Sequence, residues 1–136
     1  MATINLDAQI KTRQLFHLAG KDREVVFTDK LTKDLLDMEF SISELAEKIE
    51  KEAEQKKKSN QLTVKETKKN VEDLLAAMKK ECIHFLDCTF GEGSGSEVYH
   101  FFENSTMVLP EIIHAISEEA QKTRVLYKKD RYKKKR

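Results

Sequence analysis

Tryptophan is absent, proline occurs once (Pro110) and glycine only four times in a chain of 136 residues. With so few breakers, long uninterrupted helices are the default reading, and collagen-like or low-complexity classes are excluded. Two cysteines are too few for a disulfide-built scaffold. Cys82 and Cys88 lie about 9 Å apart along one expected helix at roughly 1.5 Å per residue, so a bond between them inside it is excluded. No stretch approaches the ~18 consecutive apolar residues of a membrane span. Nor does a basic-then-apolar leader open the chain. The expectation is a cytoplasmic protein with reduced thiols and no membrane contact.

Charge, by contrast, is abundant. Charged residues make up 36% of the chain and apolar ones 39%, for a net charge of +1. That near-neutrality hides an asymmetry. Residues 122–136 hold nine Lys/Arg against one Asp, a balance of +8, which leaves −7 for residues 1–121. An acidic body with a basic tail predicts contact with an acidic partner or with a neighbouring copy. The length suits one domain over residues 1–127, followed by a basic tail at 128–136. So high a charge fraction leaves a thin core, or one completed by partners.

The clearest periodicity lies in the stretch from Thr63. Val64, Val71, Leu74, Leu75, Met78, Cys82, Phe85 and Leu86 fall within an arc of roughly 120° at 3.6 residues per turn. Thr63-x-x-Glu66 predicts a capping box at the start. Phe90-Gly91 predicts a left-handed glycine cap at the end. Ser94-x-x-Glu97 predicts a second capped start, leading into the aromatic segment Tyr99-His100-Phe101-Phe102. Phe90, Gly91, Gly93 and Gly95 therefore form a helix–loop–helix joint.

Upstream, Ile4, Leu6, Ala8 and Ile10 alternate with polar residues, the period of a half-buried strand. Leu15–Leu18 and Glu24–Phe27, around a glycine turn at residues 19–22, predict a β-hairpin. Leu31, Leu35, Met38, Ile42, Leu45 and Ile49 repeat as heptads and predict one helix from about 29 to 57. Ser41-x-x-Glu44 offers a competing break near Phe40, which the heptad rhythm outweighs. Leu36 and Phe40 lie off the apolar stripe, so another element or a partner should cover them. Lys51–Lys58 and Ser59-Asn60-Gln61 read as the exposed turn of a helical hairpin. Asn104-Ser105-Thr106 should open a last helix, with Pro110 in its first turn. Leu109, Ile112, Ile113, Ile116, Ala120 and Tyr127 share its face to about residue 128, and the tail beyond should fray. The fold class is thus mainly α, a helical hairpin or bundle of about four helices with a small N-terminal β-hairpin at about 4–27.

Chemistry-bearing patterns are sparse. His84 and Cys88 stand at i, i+4, a spacing open to two metal ligands, but tetrahedral zinc needs four and no C-x-x-C or H-E-x-x-H occurs. Gly91-x-Gly93-x-Gly95 lacks the lysine and the preceding strand of a phosphate loop. Glu92 and Glu97 would repel an anion there. No nucleophile–base pair is legible, so no catalytic residue, metal or cofactor is expected. The tail could neutralise phosphates, making a small nucleic-acid-binding regulator the alternative, though the acidic body opposes that partner. A coiled-coil oligomerisation module built on Leu31–Ile49 is a third reading.

The phrase from Asp87 to Tyr99, with Phe90-Gly91-Glu92-Gly93-Ser94-Gly95 at its heart between two charged helices and a basic segment at the chain's end, resembles the tail assembly chaperones of long-tailed bacteriophages of Gram-positive hosts. The resemblance implies a non-enzymatic protein made in the host cytoplasm. It implies binding to the tape-measure protein, recruitment of tail-tube protein, and self-association. Leu36, Phe40, Tyr99, Phe101 and Phe102 are the residues expected to make such contacts.

Overall fold

The computed structural model describes residues 2–9 and 12–133, with side chains over 2–7 and 12–122. Among the described residues, five helices and two strands follow one another in the order α1 (Leu6–Gln9), β1 (Arg13–Leu18), β2 (Lys21–Val26), α2 (Asp29–Lys58), α3 (Val64–Phe90), α4 (Ser94–Phe101) and α5 (Val108–Lys133). The fold is mainly helical with a small antiparallel hairpin near the N-terminus, as its periodicities predict. α3 is its axis, for α2, α4, α5 and β2 all pack against it.

The hairpin closes through Ala19-Gly20, both at positive φ (52° and 78°), the backbone twist a two-residue turn needs. Lys21 and Asp22 belong to β2, so the turn is shorter than residues 19–22. Register pairs Phe16 with Arg23 and Gln14 with Val25. Those four side chains face inward, and Val25 is fully buried. The outer face mixes exposed Leu15 and Val26 with polar residues and is stitched across the strands by Arg13–Glu24 at 2.7 Å and His17–Asp22 at 2.9 Å.

The strand expected at Ile4–Ile10 does not form. Residues 2–5 have no regular structure and Leu6–Gln9 is a single helical turn, while Ile10 lies outside the described residues. Alternation makes a strand only where a partner edge receives its hydrogen bonds. The sheet here has two strands, and Ile4 and Leu6 remain exposed.

α2 is continuous through Phe40, so the heptad rhythm prevails over the Ser41-x-x-Glu44 signal. Thr28 is its N-cap, accepting from the Leu31 amide at 3.2 Å. Leu31 and Met38 are buried, whereas Ile42, Leu45 and Ile49 are half-buried. Thr63 caps α3 by accepting from the Glu66 amide at 3.1 Å. The reciprocal half of the expected box is replaced by an ion pair, Glu66 to Lys56 across the turn at 3.2 Å. Pro110 falls in the first turn of α5, where its missing N–H costs nothing. α5 runs on to Lys133, past the predicted end near 128; the side chain of Tyr127 and residues 134–136 lie outside the described parts.

The core gathers at the α3–α4–α5 end. Cys82, Phe85, Leu86, Val98, Leu109, Ile113 and Ile116 are buried together with Val25, Leu31 and Met38. Both ends of the α3–α4 link depart from the expected capping. Gly91 takes φ 114°, ψ 157°, outside the left-handed helical well and in a region essentially confined to glycine. Gly93, at φ 88° and ψ −13°, is the N-cap of α4, and Ser94 is already helical with no side-chain cap. Gly95 lies directly on α3: a Cβ there would overlap the Ile83 carbonyl oxygen and meet its Cα at 2.8 Å.

The two glycines therefore fail differently. Gly91 has open space around it, so Gly91→Val should cost about 1–3 kcal/mol through backbone strain alone. Gly95→Ala meets rigid backbone and should cost at least as much, about 1–3 kcal/mol or more, by forcing α4 off α3. Urea melts of both variants check this; wild-type midpoints would contradict the joint described here.

Candidate functional site

The candidate surfaces are the glycine joint, the aromatic segment after it, and apolar side chains left exposed on α2 and α3. The sites named from sequence fall into three groups. Phe90, Gly91, Gly93 and Gly95 come together as the joint. Tyr99 and Phe102 are half-buried and packed against the core. Tyr99 also has the Lys79 ammonium 4.5 Å above its ring, a cation–π contact. Phe101 is 55% exposed, meets Phe102 edge-on at 5.0 Å between centroids, and flanks the hairpin turn at Gly20. Leu36 and Phe40 stand apart from these aromatics. They are 58% and 70% exposed and share a shallow cleft with Asp37, Glu39 and Ser43, all from α2.

Helical geometry explains why Leu36 and Phe40 are uncovered. At 100° per residue they point about 180° away from the Leu31–Met38–Leu45 stripe that faces α3. Nothing else in the described chain packs on that side of α2.

A second apolar exposure runs along the N-terminal half of α3. The stripe that buries Cys82, Phe85 and Leu86 at one end continues through Leu75, Val71 and Val64, which are 36%, 53% and 75% exposed. The long periodic face is therefore a core only where α4 and α5 reach it. A further groove of about 380 Å³ lies where α2, α3 and α5 meet, lined by Met38, Ile42, Met78, Cys82, Ile113 and other residues. It is invisible to one-helix periodicity because three elements build it.

The joint is fastened to the hairpin by a residue the sequence reading passed over. Arg23 has a side chain only 9% exposed and donates from Nε to the Leu18 carbonyl at 3.1 Å and from its terminal nitrogen to Glu97 at 3.0 Å. Its guanidinium lies 5.9 Å from the Phe90 ring centroid. Lys21 reaches the same Glu97 oxygen at 2.8 Å. The available signal was an arginine in phase with Val25 on an inward-facing strand; the partner, 74 residues away, has no local signature. Asp87 closes the other side by accepting from the Gly95 amide at 2.7 Å.

The thiols are free and differ in environment. Burial, with Glu81 nearby, pushes the Cys82 thiol up to about 11, which keeps it protonated and inert at neutral pH. Cys88 is exposed, with Sγ 3.7 Å from His84 Nε2. Among the described residues no group of three or more His, Cys, Asp or Glu side chains could hold a metal ion. No described helix is long and apolar enough to cross a membrane. No protein-family model, curated protein or solved structure matches the chain.

Two outcomes follow. Lys21 foremost, then Arg23, holds the Glu97 carboxyl below the usual carboxylate range. A lowered native value contributes stability above the unfolded-state value of about 4.3 and loses it as pH falls through the native one. Glu97→Gln should therefore flatten the acid side of a stability-versus-pH curve from urea melts, and an unchanged slope would mean that the pairing contributes nothing. In thiol labelling at about pH 8, Cys88 should be alkylated rapidly and Cys82 only on unfolding; equal rates would place Cys82 outside the core.

Proposed function

We propose that the chain is a non-enzymatic assembly chaperone that shields a long, helical, apolar partner, of the kind that builds the tails of long-tailed phages in the host cytoplasm. In that setting the partners are the tape-measure protein and the tail-tube protein. The observation that carries the reading is the uncovered half of the α3 stripe, Val64–Val71–Leu75, on an arm made of two long helices. Exposed apolar residues at 7- and 4-residue spacings along a helix form a strip that an amphipathic or apolar helix can lie against. Apolar surface left uncovered on a charged protein marks an interaction face. The glycine phrase at the α3–α4 joint supports the same family by resemblance, since it supplies the close helix crossing that leaves this arm free to project.

Co-expression tests it. A tape-measure helical segment should remain in the soluble fraction with the wild-type chain and aggregate with Val64→Glu/Val71→Glu. Both positions are exposed, so the double variant should keep its melting transition within about 1 kcal/mol. Equal solubilisation by wild type and variant would refute the α3 strip as the docking face. The genetic expectation is a tail-tube gene and a very long tape-measure gene beside this one.

A further inference from the structure

The outward face of α2 is acidic as well as apolar. From Asp34 to Glu47 the helix carries five carboxylates (Asp34, Asp37, Glu39, Glu44, Glu47) and no Lys or Arg. On the arc that holds Leu36 and Phe40, Glu39, Glu47, Glu50 and Glu54 are exposed, with Lys33 and Lys51 as cations at its edge. None of these four glutamates is ion-paired among the described residues. The face is therefore two apolar side chains set in a net negative charge, four carboxylates against two lysines. The chain also contains a segment of the complementary composition. Residues 125–136 begin with Val-Leu-Tyr and continue with seven Lys/Arg, one Asp and a second tyrosine. Helix α5 extends into it as far as Lys133.

We propose that the Leu36–Phe40 face of α2 is the docking site for the basic C-terminal segment of a second copy of this chain. Phe40 and Leu36 would take the apolar residues at 125–127, and the surrounding glutamates the cations that follow. Like charges along α2 exclude a symmetric α2–α2 contact, because two acidic faces would repel, whereas acidic-on-basic pairing is attractive. Each copy offers one acceptor and one donor, so the contact can close as a two-fold dimer, each tail lying on the other copy's α2, or continue into a ring or open chain. The inference uses a surface separate from the α3 strip and stands or falls independently of the chaperone reading.

Sedimentation velocity on the full-length chain tests it. The wild-type mass should rise above 15.8 kDa with concentration. It should return toward monomer between about 0.1 M and 1 M salt, as the screening length falls from roughly 10 Å to roughly 3 Å. Phe40→Glu should be monomeric, as should Glu47→Lys/Glu50→Lys, which leaves the apolar pair intact and guards against a folding defect in the first. A tail-reversed chain, Lys128→Glu/Lys129→Glu/Arg131→Glu, should also be monomeric. Mixing Phe40→Glu with the tail-reversed chain should restore a heterodimer, because one has a sound donor and the other a sound acceptor. A wild type that stays monomeric at every concentration, variants that associate as the wild type does, or a mixture that remains monomeric would each overturn the proposal.

Discussion

Packed helices ordinarily keep about 8–10 Å between axes because side chains hold their backbones apart. At Gly95 that spacer is missing, and α4 comes down onto the Ile83 backbone of α3. Several other features depend on this approach. It places the Gly95 amide where Asp87 can accept from it, and it drives Val98 into full burial against the core. The chain must turn from α3 into α4 within three residues, which requires positive φ at both Gly91 and Gly93. One close contact thus sets three of the four glycines in the chain.

The crossing also decides where the hairpin goes. A two-stranded sheet is marginal in water and has to be held by something else. Seating α4 on α3 presents Glu97 toward β2, and Arg23 is buried between that carboxylate, the Leu18 carbonyl and the Phe90 ring. A buried guanidinium is costly unless paired and hydrogen-bonded. Here it is both, with Glu97 and the Leu18 carbonyl accepting from it. Only with α4 in this position does Arg23 find Glu97, and Val25 lies in the core beside Leu31.

How much of this could be read from sequence followed the range of the forces. α2, α3 and α5 were legible because 3.6-residue periodicity is local, and the hairpin because its turn is. α2 runs unbroken through Phe40 because heptad spacing outweighs the polar capping pattern at Ser41. Local signals failed where a tertiary partner competed for the same group. Glu97 suggested a capping box with Ser94 but pairs with Lys21 and Arg23. Glu66 suggested the same with Thr63 but reaches Lys56. Ile4 and Leu6 had the period of a strand and no edge to join. Stripe membership likewise did not reveal burial: Val64 and Cys82 lie on one face of α3, yet only Cys82 has helices above it.

That last contrast bears on why the arm is built as it is. α2 has 30 residues, about 45 Å at roughly 1.5 Å per residue, but its fully buried side chains, Leu31 and Met38, lie in its first third. Beyond them α2 and α3 are held by a seam of half-buried residues, Ile42, Leu45, Ile49, Leu74 and Met78. A shorter hairpin would satisfy the core equally well. The extra length is what carries the exposed α3 strip of Val64, Val71 and Leu75, whereas Leu36 and Phe40 lie on the outer side of α2 level with the core. The two surfaces occupy different helices and different arcs, so an occupant on one does not block the other. The core is thus confined to one end of the helical hairpin, and the far half of α3 leaves its apolar stripe exposed.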